Sequence, residues 1–463
     1  MSWFDRSADC FTRLPLVDVA ASVGRVQTGT RVTTMGAASS NRHRVVISGL
    51  GVVSPVGIGL EPFWASLMAG RSAIGPLRSF PQLDVPSQLA AEIADFDVRP
   101  FLRQRKMAKV MSRDIQLGVS AASMAMQSAG LARGGIDPDR LGVVFGAGQI
   151  PSTPQELVDA AAHCSSDSPF DFDRWGEDGI AQIYPLWMLR QLPNMPACHV
   201  AIDFDARGPN NTITSREASA LLALAEAVHV VRRGRADAMI VGACGSDIHP
   251  LDIARLHLTE HLSRQADPER ACRPFDRDRD GCVLGEGAAA FVVEEYEHAR
   301  RRGAEIYAEV LATAAGCDGR GFLNGAGGTG LVRSIEAAIR EAGIQPKELG
   351  HINAHGKATR RDDVVEARAY HRVFPDVAET VPVTGLKSYF GAFDAGTGAV
   401  ELAGSLLAVR HGWLPATLRY ETPDPQCRLN VVHGGPHKLT NGTFLKVNRT
   451  AMGQSAAVIL RSV

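Results

Sequence analysis

Glu217-Ala-Ser-Ala-Leu-Leu-Ala-Leu-Ala-Glu-Ala-Val-His-Val-Val-Arg-Arg233 reads as an almost wholly apolar helix, and a short turn takes it into Ala238-Met-Ile-Val-Gly242. A surface helix keeps one polar face; a helix apolar on every side is buried at the centre of a large domain. The apolar run that follows reads as a buried strand, so sheets and helices must stack around this segment.

On either side the chain alternates between the two periods. Arg44-Val-Val-Ile-Ser-Gly-Leu-Gly51 reads as a strand ending in a glycine turn, Val110 to Leu131 as a helix, and Leu141-Gly-Val-Val-Phe-Gly146 as a buried strand. Residues 150–185 read as a long polar insertion. The second half repeats the idiom: strand from Tyr307 to Leu311, helix from Leu331 to Ala342, strand ending at Asn353, helix from Gly396 to Val409, and closing strands near Phe444 to Val447 and Ala457 to Leu460. This order predicts an α/β protein with central sheets covered by helices. No internal duplication is visible in the letters.

Composition narrows the function classes. The 463 residues are 45% hydrophobic and 21% charged, proportions of a globular chain long enough to bury a core without disulfides or metals. A net charge of −1 marks neither a nucleic-acid nor a membrane-surface protein. The eight cysteines show no C-x-x-C spacing, which fits reduced thiols in a cytoplasmic protein, with no metal site expected. No apolar run is long enough for a membrane span. Residues 1–43, rich in Ser, Thr, Ala and Arg, read as a disordered extension or as residues upstream of a start at Met35. Gly49 and Gly51 lack the third glycine of a dinucleotide fingerprint. Asn324-Gly-Ala-Gly-Gly-Thr-Gly330 before a helix reads as a flexible lead-in, with phosphate cradling as the rival.

Val45-Val-Ile-Ser-Gly-Leu-Gly-Val-Val-Ser-Pro-Val-Gly57, Arg273-Pro-Phe-Asp-Arg-Asp-Arg-Asp-Gly281 with Leu284-Gly-Glu-Gly-Ala288, Asn353-Ala-His-Gly356, and Lys387-Ser-Tyr-Phe-Gly-Ala392 with Gly398-Ala-Val-Glu401 together resemble the elongating β-ketoacyl-ACP synthases (ketosynthases). The resemblance covers residues 44–463. It implies a thiolase-like α/β fold of two similar halves stacked as five layers (αβαβα), normally a two-fold dimer. The halves are expected at 44–298, carrying the nucleophile position, and 299–463, carrying the histidine positions.

The resemblance also shows what is missing. Glu217 stands where the family has its cysteine nucleophile, and Ala392 where it has its second active-site histidine. Lys357 replaces the first threonine of the family's His-Gly-Thr-x-Thr pattern, although Thr359 persists. Leu386 stands before Lys387 where the family usually has threonine. The glycine-rich aromatic loop appears as Thr450-Ala-Met-Gly-Gln-Ser455. The candidate catalytic positions are therefore Glu217, His355 and Lys387. Thr359 and Met452 are the positions toward the phosphopantetheine arm of an acyl carrier protein, the only cofactor the resemblance implies; none is expected to be bound permanently. Lys387, Glu401 and Glu286 are expected to be buried, paired charges.

A carboxylate at a helix start is favoured by about 0.3–1 kcal/mol. It is nevertheless a poor nucleophile towards a thioester. Three roles stand open for Glu217: a helix cap, since Thr214-Ser-Arg-Glu217 has capping-box spacing; an electrostatic group in the pocket; or a nucleophile. The pattern of losses resembles the chain-length-factor type of subunit, although such relatives usually carry glutamine at the nucleophile position. The expectation is a non-condensing partner in fatty-acid or polyketide assembly, forming a homodimer or a heterodimer with an active ketosynthase, with an acyl carrier protein as a further partner. The rival is a repurposed acyltransferase or hydrolase using Glu217 and His355 as base and acid. The basic runs Arg103-Gln-Arg-Lys106, Arg232-Arg-Gly-Arg235 and Arg300-Arg-Arg302 could meet that carrier or simply be solvated faces.

Overall fold

The β-branched run at the start of the domain forms strand β1, Val45–Ser54, buried along its whole length. It is longer than the glycine turn predicted. Gly49 and Gly51 lie within it because helix α1 (Arg113–Ser128) crosses directly above. A Cβ at Gly49 would stand 2.4 Å from the Ala125 carbonyl oxygen, and one at Gly51 only 2.1 Å from that of Ala121. These glycines serve helix–strand packing, not a nucleotide. The structure, a computed structural model, describes residues 43–165, 170–319 and 327–463. The expectation for residues 1–42 lies outside the described residues, as do those for 166–169 and 324–326.

The other strands of the main sheet path are β2 (Leu141–Gly146), β3 (Asn210–Ile213), β4 (Ala238–Ser246), β5 (Leu284–Glu295), β6 (Ala308–Cys317), β7 (His351–Asn353), β8 (Pro382–Thr384), β9 (Asn430–Val431), β10 (Thr443–Arg449) and β11 (Gln454–Arg461). Their spatial order is β9-β8-β7-β10-β11-β6-β1-β5-β4-β2-β3. In the first half β3, β2 and β4 are parallel neighbours, and β4, β5 and β1 follow antiparallel. In the second half β8, β7 and β10 are parallel, and β10, β11 and β6 follow antiparallel. Both halves thus run third, second, fourth, fifth, first, with β9 added at one edge. The duplication absent from the letters is explicit in the topology. The halves join where β1 and β6 pair at Val46–Glu309 and Ile47–Ala308.

Helices fill three layers around these sheets. The apolar segment 219–232 forms α2 (Ser219–Arg232), which packs on β2 and β4 of the first half and on β6 and β11 of the second. Helix α5 (Asp394–His411) lies beside it and touches β4, β5 and β10. Helix α1 covers the outer face of the first half. The outer face of the second is covered by α3 (Thr329–Ala342), with α4 (Asp362–Val373) packed against it. The result is the thiolase-like αβαβα stack. Leu221, Leu224, Val228 and Val231 of α2 are fully buried. Each such side chain contributes roughly 1.5–3 kcal/mol relative to exposure. That explains why α2 tolerates no polar face.

The polar insertion includes a helix, Pro154–His163, with a capping box from Thr153 and Glu156. The lead-in to α3 does not hold its amides open for a phosphate. The Gly328 N–H donates to the Asp318 carboxylate at 2.9 Å, and the Gly330 N–H donates to its other oxygen. A side-chain anion already occupies that helix start.

Candidate functional site

The α-helix does not begin at Glu217, as the apolar run suggested, but at Ser219, after a 3₁₀ turn over Arg216–Ala218. The reason is backbone geometry at Arg216, whose φ of +46° lies in the left-handed region. A non-glycine residue there costs on the order of 1–3 kcal/mol. Ala358 (φ +61°) and Asp394 (φ +41°) share this conformation. The Ser215 N–H donates to Ser219 Oγ at 2.7 Å and closes the turn.

Glu217 is 3% exposed. Its carboxylate does not bond back to the Thr214 amide, so the capping-box expectation fails. Instead Oε1 accepts a 2.7 Å hydrogen bond from Lys357 Nζ. The same Nζ donates to Glu260 Oε2, also at 2.7 Å. Arg216 donates from Nη2 to Glu260 Oε1 at 3.1 Å, and its Nε stands 3.6 Å from Glu217 Oε2 and 3.8 Å from Asp394 Oδ1. Burial alone would push the Glu217 carboxyl up, but Lys357 and Arg216 outweigh it and hold it down at about 2. For Lys357 burial opposes the charge, and Glu217 and Glu260 override it, so its ammonium is held charged. Burial raises Asp394 to about 6 against the pull of Arg216, and raises Asp247 as well.

Two of the departures expected from the resemblance, at Glu217 and Lys357, therefore meet in one structural feature. Glu217 and Lys357, 140 residues apart in the chain, form a buried ion pair. Each offsets much of the cost of burying the other, with Glu260 and Arg216 adding further pairing, because an unpaired buried charge is strongly destabilising. Arg216, Glu260 and Asp394 complete the network, and sequence reasoning missed all three. The available signal was two substitutions of opposite charge at one site.

His355 is 1% exposed. Its backbone N–H and that of Gly356 donate to Glu366 at 2.7 and 2.8 Å, and Glu366 also accepts from the Tyr370 hydroxyl at 2.6 Å. The imidazole Nδ1 stands 3.4 Å from both Lys387 Nζ and Asn448 Nδ2. Burial first, then the nearby lysines, lower its pKa far below the ordinary value. It is a neutral imidazole. Lys387 and Lys446 each donate to Glu401 at 2.7 Å, and all three side chains are fully buried. Glu286 is likewise buried against Arg113 at 2.8 Å.

The remaining positions separate from this centre. Ala392 packs in a small apolar cluster with Ile253, Leu256, Leu262 and Cys282, offering neither donor nor lone pair. The Thr359 hydroxyl is engaged locally, accepting from the Asp362 N–H and donating to its carboxylate at 2.9 Å. Met452 is 54% exposed on its turn. Among the described residues, burial pushes the Cys272 thiol up to about 12 and raises Cys244 and Cys282 as well, so these thiols stay protonated. A thiol is nucleophilic only as thiolate. The network meets solvent through Glu260, which lines a cleft of about 250 Å³ with Ser87, His257 and Asp280.

A duplicated αβαβα stack, with the Arg216–Ser219 turn joined to the His355 loop through Lys357, defines a condensing-enzyme scaffold. The chain belongs to the β-ketoacyl synthase family: residues 42–299 match its N-terminal domain and residues 307–421 its C-terminal domain. It is 34% identical over 399 residues to a 3-oxoacyl-[acyl-carrier-protein] synthase 2 of Synechocystis, covering 86% of this chain and 92% of that protein. Among solved structures it is similar to the ishigamide ketosynthase/chain length factor, with a TM-score of 0.80 and 26% identity over 91% of this chain and all of that one. It is also similar to a chain of a type II PKS acyl-carrier protein in complex with its ketosynthase bound to the hexaketide, with a TM-score of 0.77 and 28% identity over the same shares. No helix among the described residues is long and apolar enough to cross a membrane.

Proposed function

We propose that this chain is a non-condensing ketosynthase homologue, a partner subunit that shapes an active ketosynthase in fatty-acid or polyketide assembly. The observation that carries the reading is the Glu217–Lys357 ion pair, 2.7 Å long with both side chains 3% exposed. Condensation on this scaffold needs a group that holds the acyl chain and a pair of donors on the thioester oxygen. Here the first is a carboxylate locked to an ammonium, and the second has lost one imidazole at Ala392. The retained His355–Lys387–Glu401 centre maintains the loops without supplying those parts.

The rival, an acyl hydrolase or transferase using Glu217 as base, fits less well. A carboxyl held at about 2 is a weak base near neutral pH. No hydrogen bond joins it to His355 among the described residues, and Lys357 takes its Oε1. Strand β3 is the free end of the sheet path, with Asn210 and Asn211 exposed. An unpaired edge is a template for another chain, which suits a two-fold-like partner. The acyl carrier protein, with its phosphopantetheine arm, is then assigned to the cysteine-bearing subunit, in the cytoplasm.

Co-expression with a cysteine-bearing ketosynthase encoded beside it tests the reading. A stable heterodimer whose product length shifts when this subunit is exchanged is the expected result. Absence of any complex, together with acyl-thioester turnover by the isolated chain that disappears in Glu217→Gln, would falsify it.

A further inference from the structure

The Arg216 guanidinium and the Asp394 carboxylate stand at the two ends of a contact that falls short of a hydrogen bond. Arg216 Nε is 3.8 Å from Asp394 Oδ1 and 3.6 Å from Glu217 Oε2, while Nη2 of the same side chain donates to Glu260. Both of those carboxylate oxygens are buried and have no donor among the described residues. Both ends of the contact also sit on left-handed backbone, with φ of +46° at Arg216 and +41° at Asp394. Non-glycine residues persist in that region where surrounding contacts hold the strain, and such places cluster at sites that switch.

The contact is left open because the cluster holds more acids than bases. Around Asp394, at the start of α5, stand Glu217 on the 3₁₀ turn, Glu260, Asp247 just after β4, and Asp252 on the helix Pro250–Thr259. Three cations oppose them. Lys357 serves Glu217 and Glu260, Arg216 serves Glu260, and Arg255 serves Asp252 at 2.7 Å. Asp394 and Asp247 have no hydrogen-bonded cation among the described residues. The loop after β2 meets Asp394 through Gly148, where a Cβ would stand 1.9 Å from Oδ2, so that side offers no donor side chain. A buried carboxylate without a partner takes a proton instead of bearing its charge. Burial accordingly raises Asp394 to about 6 against Arg216, and raises Asp247 too.

That proton decides which acid holds Arg216. With Asp394 neutral, Arg216 belongs to Glu260 and Glu217, as the present distances have it. With Asp394 ionised, Oδ1 attracts Arg216 Nε, and a shift of roughly 1 Å closes the gap to a charge-assisted hydrogen bond of about 2.8 Å. Glu217 keeps its 2.7 Å bond from Lys357 in either arrangement, so the exchange does not strand a buried charge.

We infer that Arg216 and Asp394 form a pH-sensitive switch, in which ionisation of Asp394 draws the turn carrying Glu217 toward the start of α5. The switch lies within the buried network and stands whether or not this chain is a partner subunit. Crystal structures of the whole chain at about pH 5 and about pH 8, on either side of the Asp394 transition, test it. The distance from Arg216 Nε to Asp394 Oδ1 should exceed about 3.5 Å at the lower pH and fall to about 2.7–2.9 Å at the higher. In Asp394→Asn, a side chain of the same shape that cannot ionise, the guanidinium should keep the low-pH position at both values. Infrared difference spectra between the same pH values give a second readout in solution, where the unaltered chain should lose one more protonated carboxyl than Asp394→Asn does. Equal distances at the two pH values, a guanidinium that still moves with pH in Asp394→Asn, or the same carboxyl loss in both proteins would overturn the switch.

Discussion

Two buried charge clusters flank the histidine loop, and they differ in how well they are satisfied. At Glu401, one carboxylate accepts from Lys387, Lys446 and Asn448, at 2.7, 2.7 and 3.1 Å. At Glu217, one lysine serves two carboxylates, and Glu217 Oε2 and Asp394 Oδ1 have no hydrogen-bond donor. Arg216 and Asp394 of the Glu217 cluster, and Ala358 next to Lys357, are among the non-glycine residues with left-handed backbone. The first cluster is a finished structural joint. The second combines left-handed backbone at Arg216 and Asp394 with an ion pair that leaves two carboxylate oxygens without donors. The difference teaches that a buried charge cluster can persist with unsatisfied oxygens beside strained backbone, as the Glu217 cluster does.

The sharpest way to break this comparison is to remove the hub of each cluster. Glu401→Ala strands two buried lysines and should destabilise the fold by at least the roughly 3–5 kcal/mol of a broken buried ion pair. Lys357→Met should fall within that range, since Glu260 keeps Arg216 while Glu217 loses its principal partner. Adding Glu217→Cys to Lys357→Thr should recover about 1–3 kcal/mol relative to Lys357→Thr alone, as coupled neighbours do. Urea denaturation of the set measures all of these. Additive effects at 217 and 357 would dissolve the claim that the two residues form one coupled feature.

A smaller effect is expected from pH. Asp394 is held at about 6, above its ordinary 3.8, by burial opposed by Arg216. Between these values the folded state binds more protons than the unfolded state, so this group's contribution to stability falls as pH rises from roughly 4 to 6. Glu217, held at about 2 despite burial, acts in the opposite sense: its contribution is complete above about 4.5 and is lost as pH falls towards 2. Asp394→Asn should therefore remove roughly 1–3 kcal/mol of downward slope between pH 4 and 6, read from urea midpoints across that range. An unchanged slope would place the titration elsewhere. The smallest expected effect is on activity. Glu217→Cys alone should leave condensation of malonyl and acyl thioesters at background, because Ala392 still lacks an imidazole. Measurable product from that single variant would show that the second loss is not limiting.

Much of this molecule is legible from its letters, for physical reasons. An apolar helix such as Ser219–Arg232 and a run such as Leu141–Gly146 announce themselves by period and burial. Glu217, His355 and Lys387 were locatable because short motifs surround them. The pairing of Lys357 with Glu217 was not, since nothing periodic links residues 140 apart. Lys357 read as a lost threonine, although it is a gained counter-ion. Nor did Arg216 betray its positive φ, because nothing about an arginine advertises a left-handed turn. The local capping spacing at Thr214 pointed the wrong way: a long-range ammonium outcompetes a backbone amide for that carboxylate.

The repeated strand order has a further consequence, for the birth of the protein on the ribosome. Each half ends by placing its last strand beside its first. Ser48 of β1 meets Glu294 of β5 across 246 residues of intervening chain. Strand β1 therefore waits, apolar and without its β5 neighbour, until residue 295 has been synthesised. Contacts of such separation make folding slow and expose sticky edges meanwhile. The nascent first half is thus the stage of this protein's life with most need of a chaperone.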